Sequence, residues 1–126
     1  MGDRANVVID EENDKGHIFL YTHWGGPDLP LTLQKALAKR WRWGDEAYLA
    51  KIIFREMIRG CEDEETGFGI STTPPDNEHP YLRVSTKFQT VTVNDSVTPD
   101  KVFTFDKYVN ISNICWRVLR DSEKKG

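Results

Sequence analysis

The stretch 81–94 constrains the fold most. Two runs, 81–85 and 89–94, alternate with a period of two, so Leu82, Val84, Val91 and Val93 point one way. With only a short connection between them, the runs form an antiparallel hairpin with one apolar face. A sheet with one apolar face has to be covered by other elements of the chain.

The remaining segments supply both more strand and the cover. Residues 6–9 are a short β-branched run and 17–21 a second strand, so 5–22 is another hairpin, with 10–16 as its turn. Its geometry lays Arg4 beside the far end of the second strand, near His23. Asp28 is placed to cap a helix, with Pro30 in the first turn. Leu33, Ala36, Leu37 and Trp41 keep helical spacing there. Asp45 caps a second helix over 46–59, whose Leu49, Ile52, Ile53 and Met57 form an apolar stripe, and Gly60 ends it. Residues 67–71 make a short glycine-containing strand, and 73–80, with three prolines, a loop. Residues 95–100 are a turn, and 102–105 a last strand or a lead-in to a helix. Tyr108, Val109, Ile111, Cys115, Val118 and Leu119 then follow helical spacing, started by Thr104 or Asp106 and open to interruption at 110–113.

Strands in groups and helices in groups mean an α+β fold. Residues 1–119 form a single domain with a mostly antiparallel sheet, two hairpins plus extra strands, packed by two central helices and a C-terminal helix. Residues 120–126 read as a flexible C-terminal tail. The length of 126 residues suits one core, and an apolar fraction of 38% is too high for a disordered chain. Cys61 and Cys115 lack the spacing of a zinc site or a disulfide framework, so both are expected as reduced thiols. No apolar run has the roughly 18 residues of a membrane helix, and the N-terminus has no apolar signal region. The expectation is therefore a cytoplasmic protein that contacts no membrane.

Three constellations carry possible chemistry. His23 stands at a strand end, followed by Trp24, Gly25 and Gly26. A histidine there can act as a general base or bind a ligand, with Trp24 as a stacking face and the glycines letting backbone N–H groups approach an anion. The same residues also suit a tight turn around a structural tryptophan. Asp76, Asn77, Glu78 and His79 form a polar cluster, but no second cluster supplies further metal ligands, so no metal or other cofactor is expected. If the His23 strand and the 67–71 strand run the same way, the loop lands beside His23, Arg4 pairs with Asp76 or Glu78, and Arg4, His23, Trp24, Gly25, Gly26, Asp76, Asn77 and Glu78 make one ligand site. The third constellation is Lys35, Lys39 and Arg42, with Arg40 and the rings of Trp41 and Trp43. Basic residues interleaved with aromatics can follow single-stranded nucleic acid, or can be the solvated face of an amphipathic helix. The net charge of −3 disfavours general phosphate binding, although a local patch can outweigh the total. Nucleophiles have little support: Ser71 is not in a nucleophile elbow, and Cys61 lies among acidic residues.

The segments 2–7 (Gly-Asp-Arg-Ala-Asn-Val), 20–26 (Leu-Tyr-Thr-His-Trp-Gly-Gly), 67–71 (Gly-Phe-Gly-Ile-Ser) and 76–80 (Asp-Asn-Glu-His-Pro), with Tyr48, Leu49, Ala50, Ile53 and Phe54, resemble a family of small uncharacterised proteins of bacteria and their phages. The resemblance covers roughly residues 2–93. It implies a bacterial host cell and an accessory or host-directed role, and no known activity.

The leading expectation is a small non-enzymatic accessory protein, phage- or bacterium-encoded, that recognises a protein partner or a small anionic ligand. Inhibition of a host system is one form this can take. A first alternative is a small hydrolase or nucleotide-processing enzyme with His23 as its catalytic base and Arg4 holding an anion. A second is a single-stranded nucleic-acid binder working through residues 35–43. A homo-oligomer is left open.

Overall fold

The computed structural model describes residues 2–10, 17–95 and 98–121. Most of the first expected turn (11–16), part of the second (96–97) and the end of the tail (122–126) lie outside the described residues.

Six strands form one sheet: β1 (Ala5–Asp10), β2 (His17–Thr22), β3 (Phe68–Ser71), β4 (Tyr81–Ser85), β5 (Thr90–Asn94) and β6 (Lys101–Thr104). Their spatial order is β3-β2-β1-β4-β5-β6. Every pairing is antiparallel except that of β1 with β4, which is parallel. The helices are α1 (Leu29–Leu37), entered through a 3-10 turn at Gly26–Asp28, then α2 (Glu46–Met57), α3 (Phe105–Val109) and α4 (Trp116–Asp121). The fold is a single α+β domain with a mostly antiparallel sheet.

Alternation decides which residues face the helices. Leu82 pairs with Val93 and Val84 with Val91, and all four are buried in the core. Val7, Ile9 and Leu20 continue that face across β1 and β2. Leu33, Ala36 and Leu37 of α1 and Leu49, Ile53 and Met57 of α2 close over it. Tyr108 of α3 is fully buried, and its hydroxyl donates to the Pro30 carbonyl at 2.8 Å. Burial pushes that hydroxyl well above the ordinary tyrosine range, so it stays a donor. The other face carries Asn6, Val8, Phe19, Tyr21, Tyr81 and Arg83. No helix among the described residues is long and apolar enough to cross a membrane.

Several boundaries differ from those expected. Asp28 occupies the capping position of α1 but makes no side-chain cap bond. The preceding 3-10 turn leaves it at φ −100°, ψ 3°, outside the extended conformation that aims a capping side chain. Trp41 is not on α1, which stops at Leu37 where Arg40 turns left-handed at φ 59° and its N–H bonds the Leu37 carbonyl at 2.9 Å. Asp45 does cap α2, accepting from the Tyr48 N–H at 3.1 Å, but α2 ends at Met57, two residues before Arg59. Residues 101–104 are a strand. Thr104 caps α3, accepting from the Lys107 N–H. A break containing left-handed Asn113, φ 52°, divides the expected C-terminal helix in two. Its second half runs through Asp121, past the expected start of the tail.

The two faces of α2 predict two different mutational outcomes. Ile53→Ala empties a fully buried site and is expected to lower stability by about 2–5 kcal/mol. Lys51→Ala, on the exposed face, is expected to change it by less than about 0.5 kcal/mol. Urea unfolding of both variants checks the pair.

Candidate functional site

The acidic loop and the first strand meet at one end of the sheet. The Arg4 backbone N–H donates to Glu78 Oε1 at 2.6 Å, and the Glu78 N–H donates back to the Arg4 carbonyl at 2.8 Å. The Arg4 guanidinium also reaches Glu78 Oε1 at 3.3 Å and Asp76 Oδ2 at 3.1 Å. Asn6, buried one step along β1, donates its amide to the Asp76 carbonyl at 3.2 Å and to Asn77 Oδ1 at 3.0 Å. Glu78 raises the guanidinium's pKa. The Arg4 backbone N–H, followed by its side chain, holds the Glu78 carboxyl below the usual carboxylate range.

The route by which the loop arrives differs from the one expected. The shared site required the His23 strand and the 67–71 strand to run the same way, but β3 is antiparallel to β2, with Thr22 opposite Phe68 and Phe19 opposite Ser71. The chain therefore leaves β3 at the end remote from His23. Residues 72–80 bring it back, because β4 runs parallel to β1 and must start beside Arg4.

His23 joins this end of the sheet through the backbone. Its carbonyl accepts from the Asp3 N–H at 2.7 Å and its N–H donates to the Gly67 carbonyl at 2.8 Å. The ring contacts Tyr21 and Trp24, not a carboxylate. The Tyr21 hydroxyl lies 2.7 Å from Nδ1, and burial, with Asp76 and Glu78 nearby, keeps that hydroxyl's pKa above the ordinary tyrosine value. A Cβ on Gly2 would come 2.7 Å from Nε2, so the N-terminal chain crowds the other ring nitrogen. Trp24 stands edge-on to His23 at 4.7 Å and lies over Gly67, where a Cβ would meet its ring at 2.8 Å.

The glycines do not present N–H groups to an anion. The Gly25 N–H donates to Thr22 Oγ1 at 3.0 Å and the Gly26 N–H to the Asp3 carbonyl at 3.0 Å. Gly26 is instead a packing point, where a Cβ would collide with the Asp3 carbonyl and the His79 ring. Its carbonyl accepts from Trp116 Nε1 at 2.8 Å. His79 stacks on Trp116 at 5.1 Å with its Nε2 2.5 Å from Asp3 Oδ1. The site expected around His23 is thus a clasp in which Arg4, Asn6, Asp76, Asn77, Glu78 and His79 neutralise and bind one another. Asp3, Tyr21 and Trp116 belong to it as well. Nothing in the sequence around Trp116 marks it as a partner of residues some ninety positions earlier.

The basic constellation has a different character. Lys39, Trp41 and Arg42, from the α1–α2 connection, line a groove of about 360 Å³ with Tyr48, Lys51, Ile52, Arg55, Glu56 and Arg59. Trp41 is 57% exposed and Tyr48 50%. Lys39 sits over the Trp41 ring at 5.3 Å and Arg42 over Tyr48 at 4.8 Å, with Lys51 5.8 Å from the same ring. Glu56 is the single acidic residue among those lining the groove. Arg59 binds it through both carboxylate oxygens, at 3.3 and 2.9 Å. Arg59 foremost, with Lys39 and Lys35 behind it, holds the Glu56 carboxyl below its ordinary value. Glu62 stands near Arg59 and Arg55; backbone N–H bonds foremost, with these arginines behind them, hold its carboxyl below the ordinary range. Of the expected trio, Lys39 and Arg42 line the groove, and Lys35 acts on Glu56 from farther back. Lys51, Arg55, Arg59 and Tyr48 were missed, although Tyr48, Lys51 and Arg55 recur at helical spacing on a face of α2 that its fully buried residues leave outside.

The clasp predicts a pH dependence. Glu78 has a lowered pKa in the folded state, so its ionised form contributes stability above the unfolded carboxylate range, about pH 4.3. That contribution is lost as pH falls through the lower folded value. Glu78→Gln is therefore expected to be less stable than the native chain at pH 7, and the gap should narrow below about pH 4. Thermal melts at neutral and acid pH compare the two. A gap that does not change with pH would mean that the charge on Glu78 is not what holds the loop.

No family model, curated protein or solved structure matches the chain.

Proposed function

We propose that this protein is a small non-enzymatic binding module that recognises an anionic ligand or partner through the groove between the α1–α2 connection and α2. The observation that carries this reading is the lining itself: Lys39, Arg42, Lys51, Arg55 and Arg59 converge on one groove with Glu56 as the single acidic residue of the lining. The chain as a whole is acidic, at −3, so this concentration of positive charge runs against its overall balance.

The arrangement has an energetic cost that a ligand would relieve. Lys51 and Arg55 stand four apart on α2, with Arg59 just past its end, and like charges at that spacing destabilise a helix by a few tenths of a kcal/mol per pair. Glu56 offsets part of this through Arg59. Lys39, Arg42 and Lys51 lie against aromatic rings, which leaves their charge available to an incoming anion. The resemblance of residues 2–93 to small proteins of bacteria and their phages agrees with an accessory role. The clasp offers less free positive charge, since Arg4 is already bound by two carboxylates and the His23 ring nitrogens are hemmed in by Tyr21 and Gly2.

Immobilised heparin, a polyanion, tests this reading. The native protein is expected to be retained at low salt and released as salt rises, because binding of this kind displaces counterions. Replacing Arg42, Lys51 and Arg55 together by Gln should abolish retention. Replacing Lys87, Arg117 and Arg120 by Gln changes the net charge equally away from the groove and should leave retention nearly intact. Absence of native retention, or equal loss in both triple variants, would refute the assignment.

A further inference from the structure

The groove holds more than charge. Trp41 and Tyr48 are large rings that keep about half or more of their surface in solvent while lining the same concavity. Exposed rings framed by cations are what unpaired bases stack on, because every base has a flat π face. Three of the five cations are arginines, whose planar guanidinium fork matches a phosphate. An acidic peptide would engage the cations and leave both rings without a stacking partner.

The backbone beneath these side chains is also held in an uncommon state. Arg40 and Arg42 both adopt left-handed conformations, φ 59° and 57°, which non-glycine residues rarely occupy. Neighbouring contacts hold the segment so. Arg40 binds Asp106 at 2.9 Å, Trp43 Nε1 donates to the Leu37 carbonyl at 3.0 Å, and the Asp45 N–H donates to the Arg42 carbonyl at 3.1 Å. Trp43 packs on Phe105 and faces the core, whereas Trp41, two residues earlier, is turned outward. The connection thus fixes an indole and a guanidinium at the groove wall before any ligand arrives. Such backbone outliers gather at binding sites, where the surrounding structure over-determines them.

The size of the groove limits its occupant. About 360 Å³ is at the small end of the range for ligand pockets, roughly 300–1,000 Å³. That space suits one base with its phosphate. A duplex offers only stacked, paired bases and would leave the rings unused.

Resting on the reading of the groove as an anion site, we infer that its ligand is a nucleotide unit with an unpaired base. The base stacks on Trp41 or Tyr48, and the phosphate lies among Arg42, Lys51 and Arg55. Such a unit comes either from a free nucleotide or from a single strand.

Fluorescence anisotropy with a labelled short oligothymidylate tests this, with unlabelled thymidine monophosphate, the oligothymidylate paired with its complement, and polyglutamate as competitors. The single strand is expected to compete better than the duplex and polyglutamate. Trp41→Ala and Tyr48→Ala should each weaken it about tenfold or more. Trp41→Phe keeps a ring and should keep most of the binding. Since both rings are substantially exposed, these variants are expected to melt close to the native temperature. Competition by the monophosphate as strong as that by the oligomer assigns the site to free nucleotides, and much weaker competition assigns it to single strands. Heparin retention without oligothymidylate binding, or binding indifferent to both ring removals, overturns the nucleotide inference and leaves the anion reading standing. Polyglutamate competing as well as the oligomer overturns it in favour of an acidic protein partner. Failure to bind either heparin or oligonucleotide removes both.

Discussion

The parallel pairing of β1 with β4 is the constraint on which the rest of the sheet depends. Antiparallel neighbours can be joined by a tight turn, but a parallel pair needs the chain to travel back to its starting end. Between β1 and β4 this chain does so with β2, both central helices, β3 and the return loop 72–80. The loop must finish where β1 begins, and that places Asp76 and Glu78 on Arg4. The paired bonds between Arg4 and Glu78 then hold the start of β1 to the residues just before β4. An exposed ion pair alone would contribute little. The Glu78 N–H bonded to the Arg4 carbonyl, the Arg4 N–H bonded to the Glu78 carboxylate, and the buried amide of Asn6 make this one a junction and not a surface contact.

That junction gives the residues most suggestive of chemistry a structural role. Histidine, tryptophan, glycine and clustered acids are the vocabulary of active sites, but they are also what a tight multi-strand junction requires. Gly26 is there because the Asp3 carbonyl and His79 leave no room for a Cβ. His79 is there to bridge Asp3 and the face of Trp116, which ties α4 to the turn before α1. Polar groups that bind one another in this way have less of their hydrogen-bonding capacity left for a ligand.

Local patterns made most of the fold legible. The alternation at Leu82, Val84, Val91 and Val93 gave both the hairpin and its buried face, and the stripe at Leu49, Ile53 and Met57 gave the inner side of α2. The contact of Arg4 with the acidic loop was also expected, but from strands running in parallel where β2 and β3 are antiparallel. A two-residue period reports which face a residue is on and carries no information about which strand lies beside it. The outer stripe of α2 was readable by the same spacing as its inner one, yet attention to the apolar positions left Lys51 and Arg55 as ordinary surface. The outward turn of Trp41 was not readable, because it depends on a left-handed Arg40 anchored by Asp106, and arginine has no particular preference for that conformation.

If the groove is the anion site proposed above, charge segregation gives it a selectivity that its contacts alone do not. Since the chain sums to −3 while one groove gathers five cations and a single carboxylate, the rest of the molecule is more acidic than the total. Fields from exposed charges fade over about 8–10 Å at moderate salt, so a ligand seated in the groove feels mainly the nearby cations. A longer polyanion reaches beyond that distance and meets the acidic remainder as well as the cations. Repulsion there reduces what each further charge of a longer ligand adds without preventing its retention at low salt, and discrimination between ligands is set by such unfavourable contacts as much as by favourable ones. The acidic balance, which at first argues against any phosphate ligand, therefore favours one whose charge is confined to a short length, and the rings of Trp41 and Tyr48 add the stacking surface that distinguishes a base-bearing unit from a bare anion.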